Sequence, residues 1–128
     1  MTWQLKDLQT LLTEHQGWSV AEAEKSLCLT NEDGIEAFLA VAGEQILVEV
    51  LLFSHNVVKD VPRLNDTILR THKLFPLSTI CINEIDGHSY YAAFGSLSSQ
   101  SKAETIIIEV ATLFRSVETF LELYQDYL

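Results

Sequence analysis

The stretch from Ile35 to Phe53, "IEAFLAVAGEQILVEVLLF", constrains the fold more than any other. Ile35, Ala37, Leu39 and Val41 recur at every second position, the repeat of a half-buried strand. Gly43 supplies the turn. Residues 45–53 are then apolar on both strand faces, as in a central strand covered on both sides. An antiparallel hairpin over 35–53 follows, and the remaining elements must pack on it.

Before it, "TWQLKDLQTLLTEHQGW" carries Leu5, Leu8, Leu11 and Leu12 at helical spacing. The spacing predicts a helix over 2–15, with Thr2 as cap and Gly17 as stop. "WSVAEAEKSLCLTNEDG" leaves residues 19–25 open between strand, turn and helix. Ser19 and Glu22 could form a capping box for one helical turn, or Trp18–Val20 could start an extended segment. Leu27 and Leu29 alternate with smaller residues as a short strand would, and "TNEDG" signals a turn. Val61–Phe75 returns to helical spacing, with Asp60 as N-cap and Pro62 early. Leu64, Ile68 and Phe75 mark its buried side, and Pro76 closes it. Thr79–Ile85 and His88–Phe94 flank Asp86-Gly87, a dipeptide suited to a tight hairpin turn. "GSLSSQS" reads as a loop, and a closing helix runs over about residues 101–127. The order is α-β-β-β-α-β-β-α. It describes an α+β fold with about five antiparallel strands and three helices, one domain over residues 1–128.

Charge and composition limit the function. With 48% hydrophobic residues, 128 residues can bury a core without disulfides or metals. A net charge of −10 repels phosphate backbones and argues against nucleic acid as a partner. No apolar run approaches the ~18 residues of a membrane span, and the N-terminal residues lack the basic start of a signal peptide. These features predict a cytoplasmic protein with no membrane insertion. Cys28 and Cys81 lie far apart in apolar stretches and read as buried, inert thiols. The positive charge is local: Lys59, Arg63, Arg70 and Lys73 are opposed only by Asp60 and Asp66. That segment is +2, which leaves −12 on the rest of the chain.

No constellation for catalysis is legible. The histidines are scattered without metal-ligand spacing, and there is no nucleophile elbow, P-loop or dinucleotide fingerprint, so no cofactor is expected. Glu49 in "ILVEVLLF" is the odd carboxylate. It needs a rim position or a partner, or its pKa rises. Asp86 and His88 fall at a hairpin tip. An enzyme or small-ligand sensor would have to use Glu49 or His88.

The closing helix repeats Ile107, Val110, Phe114, Val117, Leu121 and Tyr124 by threes and fours. At 1.5 Å per residue its ~27 residues span about 40 Å, against ~25 Å for a five-stranded sheet. Part of its apolar stripe should therefore seek a partner, and a two-fold homodimer is the simplest. Two geometries follow. One is centred on Leu64–Ile82, with Arg63 and Arg70 in the least repulsive segment. The other pairs Val110, Phe114, Val117 and Leu121 of two long helices.

Three stretches carry a resemblance: "SLCLTNEDGIEAFLAVAGEQILVEVLL", "ILRTHKLFPLSTICINEIDGHSYYAAFGSL" and "EVATLFRSVETFLELYQDYL". They resemble the class I type III secretion chaperones in architecture. "TWQLKDLQTLL", "GW" and "SKAETIIIEV" are similar to the YjfI-like group of bacterial proteins of unknown function. The chaperone resemblance implies a homodimer that holds a protein client and meets its copy through the middle helix and the next strand. The YjfI-like resemblance implies a phage-shock-protein-A-like partner. The expected function is a non-enzymatic protein-binding module, chaperone-like or adaptor. The alternatives are a regulatory subunit acting on the phage-shock-type partner, or the sensor or enzyme above.

Overall fold

A computed structural model describes residues 2–74 and 78–128. The chain runs α1 (Leu5–Thr13), β1 (Trp18–Ala23), β2 (Ser26–Asn31), β3 (Glu36–Ala42), β4 (Gln45–Ser54), α2 (Val61–Thr71), β5 (Thr79–Ile85), β6 (His88–Ser98) and α3 (Ala103–Leu123). Short 3-10 turns at His55–Val57, His72–Leu74 and Gln125–Tyr127 follow β4, α2 and α3. The six strands form one antiparallel sheet in the order β1-β2-β3-β4-β6-β5. The α+β fold is as expected, with one strand more.

The additional strand is β1. Residues 18–23 pair with 26–31 across a two-residue turn in which Lys25 has φ 60°. Tight hairpin turns favour Asn-Gly or Asp-Gly, and Glu24-Lys25 carries neither signal. The predicted turn at Asp86-Gly87 is present, with positive φ at both residues.

Helix α1 is shorter than 2–15 because both ends are held from outside. Trp3 donates its backbone N–H to the Ser99 carbonyl at 2.8 Å and its indole N–H to the Ser101 carbonyl at 2.6 Å. That tie keeps Thr2 from capping, and Gln4 takes the N-cap position. At the other end the Trp18 indole donates to the Leu12 carbonyl at 3.1 Å, satisfying a helix-end acceptor.

Asp60 caps α2, accepting from the Arg63 backbone N–H at 3.2 Å, with Pro62 in the first turn. The helix ends at Thr71, before the predicted boundary. Phe75 and the closing role of Pro76 lie outside the described residues.

Strand β6 reaches Ser98, so residues 95–98 of the expected loop are strand. Gly95 pairs with Val48 where α3 crosses the sheet. The Glu109 carboxylate occupies the place a Cβ on Gly95 would take. Glycine there permits close helix approach within a strand.

All three helices pack on one face. Leu8 and Leu12 of α1, Leu64 and Ile68 of α2, and Ile106, Val110, Leu113, Val117 and Phe120 of α3 are buried in one core. The sheet contributes Leu27, Leu29, Ala37, Leu39, Ile46, Val48, Val50, Tyr91 and Ala93. A register shift between Leu51 and Phe53 turns Phe53 toward this side, where its ring lies 5.1 Å from that of Tyr91.

The closing helix stops at Leu123, short of 127. Tyr124 leaves helical geometry, and the last residues dock on α2 instead. The hydroxyls of Tyr124 and Thr71, and of Tyr127 and Thr67, are hydrogen-bonded at 2.9 Å each. The Lys59 N–H donates to the Tyr127 carbonyl at 2.8 Å, and the Arg63 guanidinium lies over the Tyr127 ring. At 21 residues α3 is about 31 Å long, close to the width of its own sheet.

Candidate functional site

Among the described residues, two apolar surfaces combine exposed side chains with a concave shape. The first is the groove between α2 and β5. Tyr91 forms its floor, and Ile68, Leu69, Ile80 and Ile82 line its walls, around a volume of about 290 Å³. Leu69 is 79% exposed and Ile82 48%. Beside it β5 is the last strand of the sheet, with one edge that no described strand pairs. The Tyr91 hydroxyl donates to the Asn65 side-chain oxygen, which ties the floor to α2. Burial pushes the Tyr91 phenol up from its ordinary value. His72 accepts from the Ile80 backbone N–H at 3.2 Å, joining the end of α2 to β5.

The second is the sheet face opposite the helices. Along β4 the covered residues are Ile46, Val48 and Val50, so Leu47, Glu49 and Leu51 point the other way. Residues 45–53 thus form a central strand covered on one side only, against the expectation of two. Phe38, Ala40, Leu47, Leu51 and Ile85 surround Glu49 in an apolar hollow of about 440 Å³.

Glu49 accepts a short hydrogen bond from the Asn83 side-chain amide. Half-burial pushes its carboxyl above the ordinary glutamate value. Cys81 Sγ lies 3.5 Å from Asn83 Oδ1, and burial followed by the Glu49 charge pushes its thiol up. Cys28, bonded to Glu36 at 3.4 Å, is raised by burial and then by that bond. Both cysteines are free and half-buried, not fully buried as predicted, and their raised pKa favours the unreactive thiol.

The sequence-predicted residues separate between these surfaces. Arg63 and Arg70 are exposed on α2, with Arg70 paired to Asp66 at 2.8 Å. Leu64 is fully buried in the core, while Ile82 stands on the groove wall. Val110, Phe114 and Val117 are engaged by the chain's own core, and Leu121 packs partly against it. His88 is exposed opposite Ile85, while Glu49 pairs with Phe94. Six residues along β6 put about 20 Å between those positions, so the two are not brought together. The open-face residues Phe38, Leu47, Leu51 and Ile85 were not singled out from sequence. Their signal was the apolar character of both sides of residues 45–53.

The profile of a family described as "Uncharacterized protein conserved in bacteria", DUF2170, matches residues 2–128. The chain belongs to the DUF2170 family. This DUF2170 chain is 26% identical over 131 residues to YjfI of Escherichia coli K12, covering 99% of this chain and 98% of that protein. Its fold is similar to the crystal structure of YbjN from E. coli, with TM-score 0.78, 18% identity and coverage of 98% and 96%. It is also similar to a chain of the ExsC–ExsE complex, with TM-score 0.66, 16% identity and coverage of 93% and 94%. A chain of the HopA1–SchA chaperone–effector complex matches at TM-score 0.65 and 19% identity, over 92% and 90%. The fold expected from the type III secretion chaperones is thus the fold of this DUF2170 member. Among the described residues, no helix is long and apolar enough to cross a membrane.

Proposed function

We propose that this protein is a non-enzymatic protein-binding module, chaperone-like or adaptor, that pairs with a second copy through α2 and β5. The observation that carries it is the groove between them, where Leu69 and Ile82 are exposed beside the outermost strand of the sheet. Solvent-facing apolar surface of this kind is stabilised by a partner. A two-fold pair there brings together the segment of the chain whose charge is +2, where repulsion between two −10 molecules is least. Val110, Phe114 and Val117 support this geometry over the coiled-coil one, since their side chains already fill the core. The fold shared with a chain of a chaperone–effector complex supports a protein as the further ligand. Glu49 supports the non-enzymatic reading, because it is held by the Asn83 amide and its charge pushes the nearby Cys81 toward the unreactive thiol.

Light scattering at micromolar concentration tests the pairing. The unmodified chain of 14.4 kDa is expected at twice that mass. Ile82→Glu, or reversal of both Arg63 and Arg70, is expected to return it to one chain with its circular dichroism intact. A monomeric unmodified chain overturns the pairing. Co-purification with a phage-shock-protein-A-like protein tests the regulatory form of the reading.

A further inference from the structure

The open face of the sheet is chemically unusual for a surface. Phe38 is 43% exposed, Leu51 41% and Leu47 36%, and they are neighbours across β3 and β4. None of the six strands contains a Lys or Arg. The charges on the open side of β3 and β4 are Glu36 and Glu49, one residue from Phe38 on the same face and one at the floor of the hollow. The surface therefore offers apolar area, a partly desolvated carboxylate and no cation on its strands.

We infer that this face is the docking site of an amphipathic helix carrying a Lys or Arg within its apolar stripe. The inference rests on the protein-binding reading and adds the chemistry of the partner. Charge complementarity selects the cation. A neutral or acidic stripe would bury Glu49 without a counter-charge, and a basic one pairs it. Geometry selects the helix. A sheet face presents side chains and offers no free backbone groups, so a strand laid on it would lose its own hydrogen bonds to water without replacement. A helix satisfies its backbone internally, as α3 does on the opposite face. A second copy of this chain is a poor occupant. A two-fold pair of these faces would set Glu36 and Glu49 of one −10 chain against those of another.

The test uses three fluorescein-labelled helical peptides of about 18 residues, about 27 Å long. They share a Leu/Ala stripe and differ at its central residue: Arg, norleucine or Glu. Binding to the full chain is read by fluorescence anisotropy. The Arg peptide is expected to bind at least tenfold tighter than the Glu peptide. Glu49→Gln is expected to bring the Arg peptide to the affinity of the norleucine peptide. Leu51→Ser is expected to remove binding of all three while leaving the thermal unfolding transition in place, with Phe38→Ser as a second variant if it does not.

Equal binding of the Arg and Glu peptides, or binding by none, overturns the inference. So does loss of binding in Ile82→Glu but not Leu51→Ser, which would place the peptide in the α2–β5 groove. A fall to half the mass in Leu51→Ser would make a second copy the occupant and overturn it too. The mass of the unmodified chain is read separately, so failure of the peptides leaves the pairing through α2 and β5 standing or falling on its own measurement.

Discussion

On β4, Ile46, Val48 and Val50 are almost fully buried, while Leu47 and Leu51 between and beyond them are more than a third exposed. Apart from Glu49, the residue types on the two sides are alike. What differs is what lies over them: three helices on one side, and no described helix of this chain on the other. Hydrophobic residues at alternate strand positions therefore record two separate demands. One set drives folding, because its area leaves water when the chain folds. The other set contributes little to folding and remains available for association. Each substitution that distinguishes the faces by stability alone sharpens this division, and each that blurs them weakens it.

The largest expected difference is between two phenylalanines. Phe120 is 1% exposed at the base of α3, and Phe120→Ala is expected to cost about 3–5 kcal/mol through lost transfer energy and a cavity. Phe38→Ala on the open face should cost less than about 1 kcal/mol, since much of its area is already in water. Urea denaturation at fixed pH measures both. Comparable losses would mean that the open face supports the fold as strongly as the covered one.

A smaller effect is expected within the covered side. The part of α2 that meets the core is short, Leu64 and Ile68, and the last residues of the chain secure it by the Tyr124–Thr71 and Tyr127–Thr67 hydrogen bonds. Tyr124→Phe and Tyr127→Phe keep the rings and remove the hydroxyls. Each is expected to cost about 1 kcal/mol. Because α2 also forms the groove wall, the double variant should weaken pairing as read by light scattering. A double variant with unchanged mass and unchanged urea midpoint would show that the sheet alone holds α2.

How far the sequence disclosed this arrangement depends on the element. Periodicity placed α1, α2, α3 and the 35–53 hairpin, because the buried stripes of those segments repeat at 3.6 or 2 residues. It could not place β1, whose outward residues Ser19, Ala21 and Ala23 carry no strand signal and whose turn lacks glycine. It also misread Gly95–Ser98 as a loop. Gly95 is small because Glu109 crosses above it, and Ser96 and Ser98 are polar because they face outward. For the site, β4 announced that both its faces were apolar. A single chain cannot say whether its own helix or another molecule covers the second face, and period-2 patterning is identical in the two cases.

The smallest expected effect compares two carboxylates, Glu109 above Gly95 on the covered side and Glu49 in the open hollow. Burial raises both above the ordinary glutamate value. A raised native pKa means that the folded chain holds its proton where the unfolded chain has lost it. Stability is then greatest below the ordinary value and declines as pH rises from it through the raised one. Glu49→Gln and Glu109→Gln should each flatten that decline in pH-dependent urea midpoints, by less than any change above, since both groups keep contact with solvent. Carboxyl NMR titration separates them. The Arg-bearing peptide is expected to pull the Glu49 titration back down, because a cation beside a carboxylate favours its charged form. Glu109, shielded by the sheet, should titrate as before. A peptide that shifts both groups equally, or neither, would place its contact somewhere other than the open face.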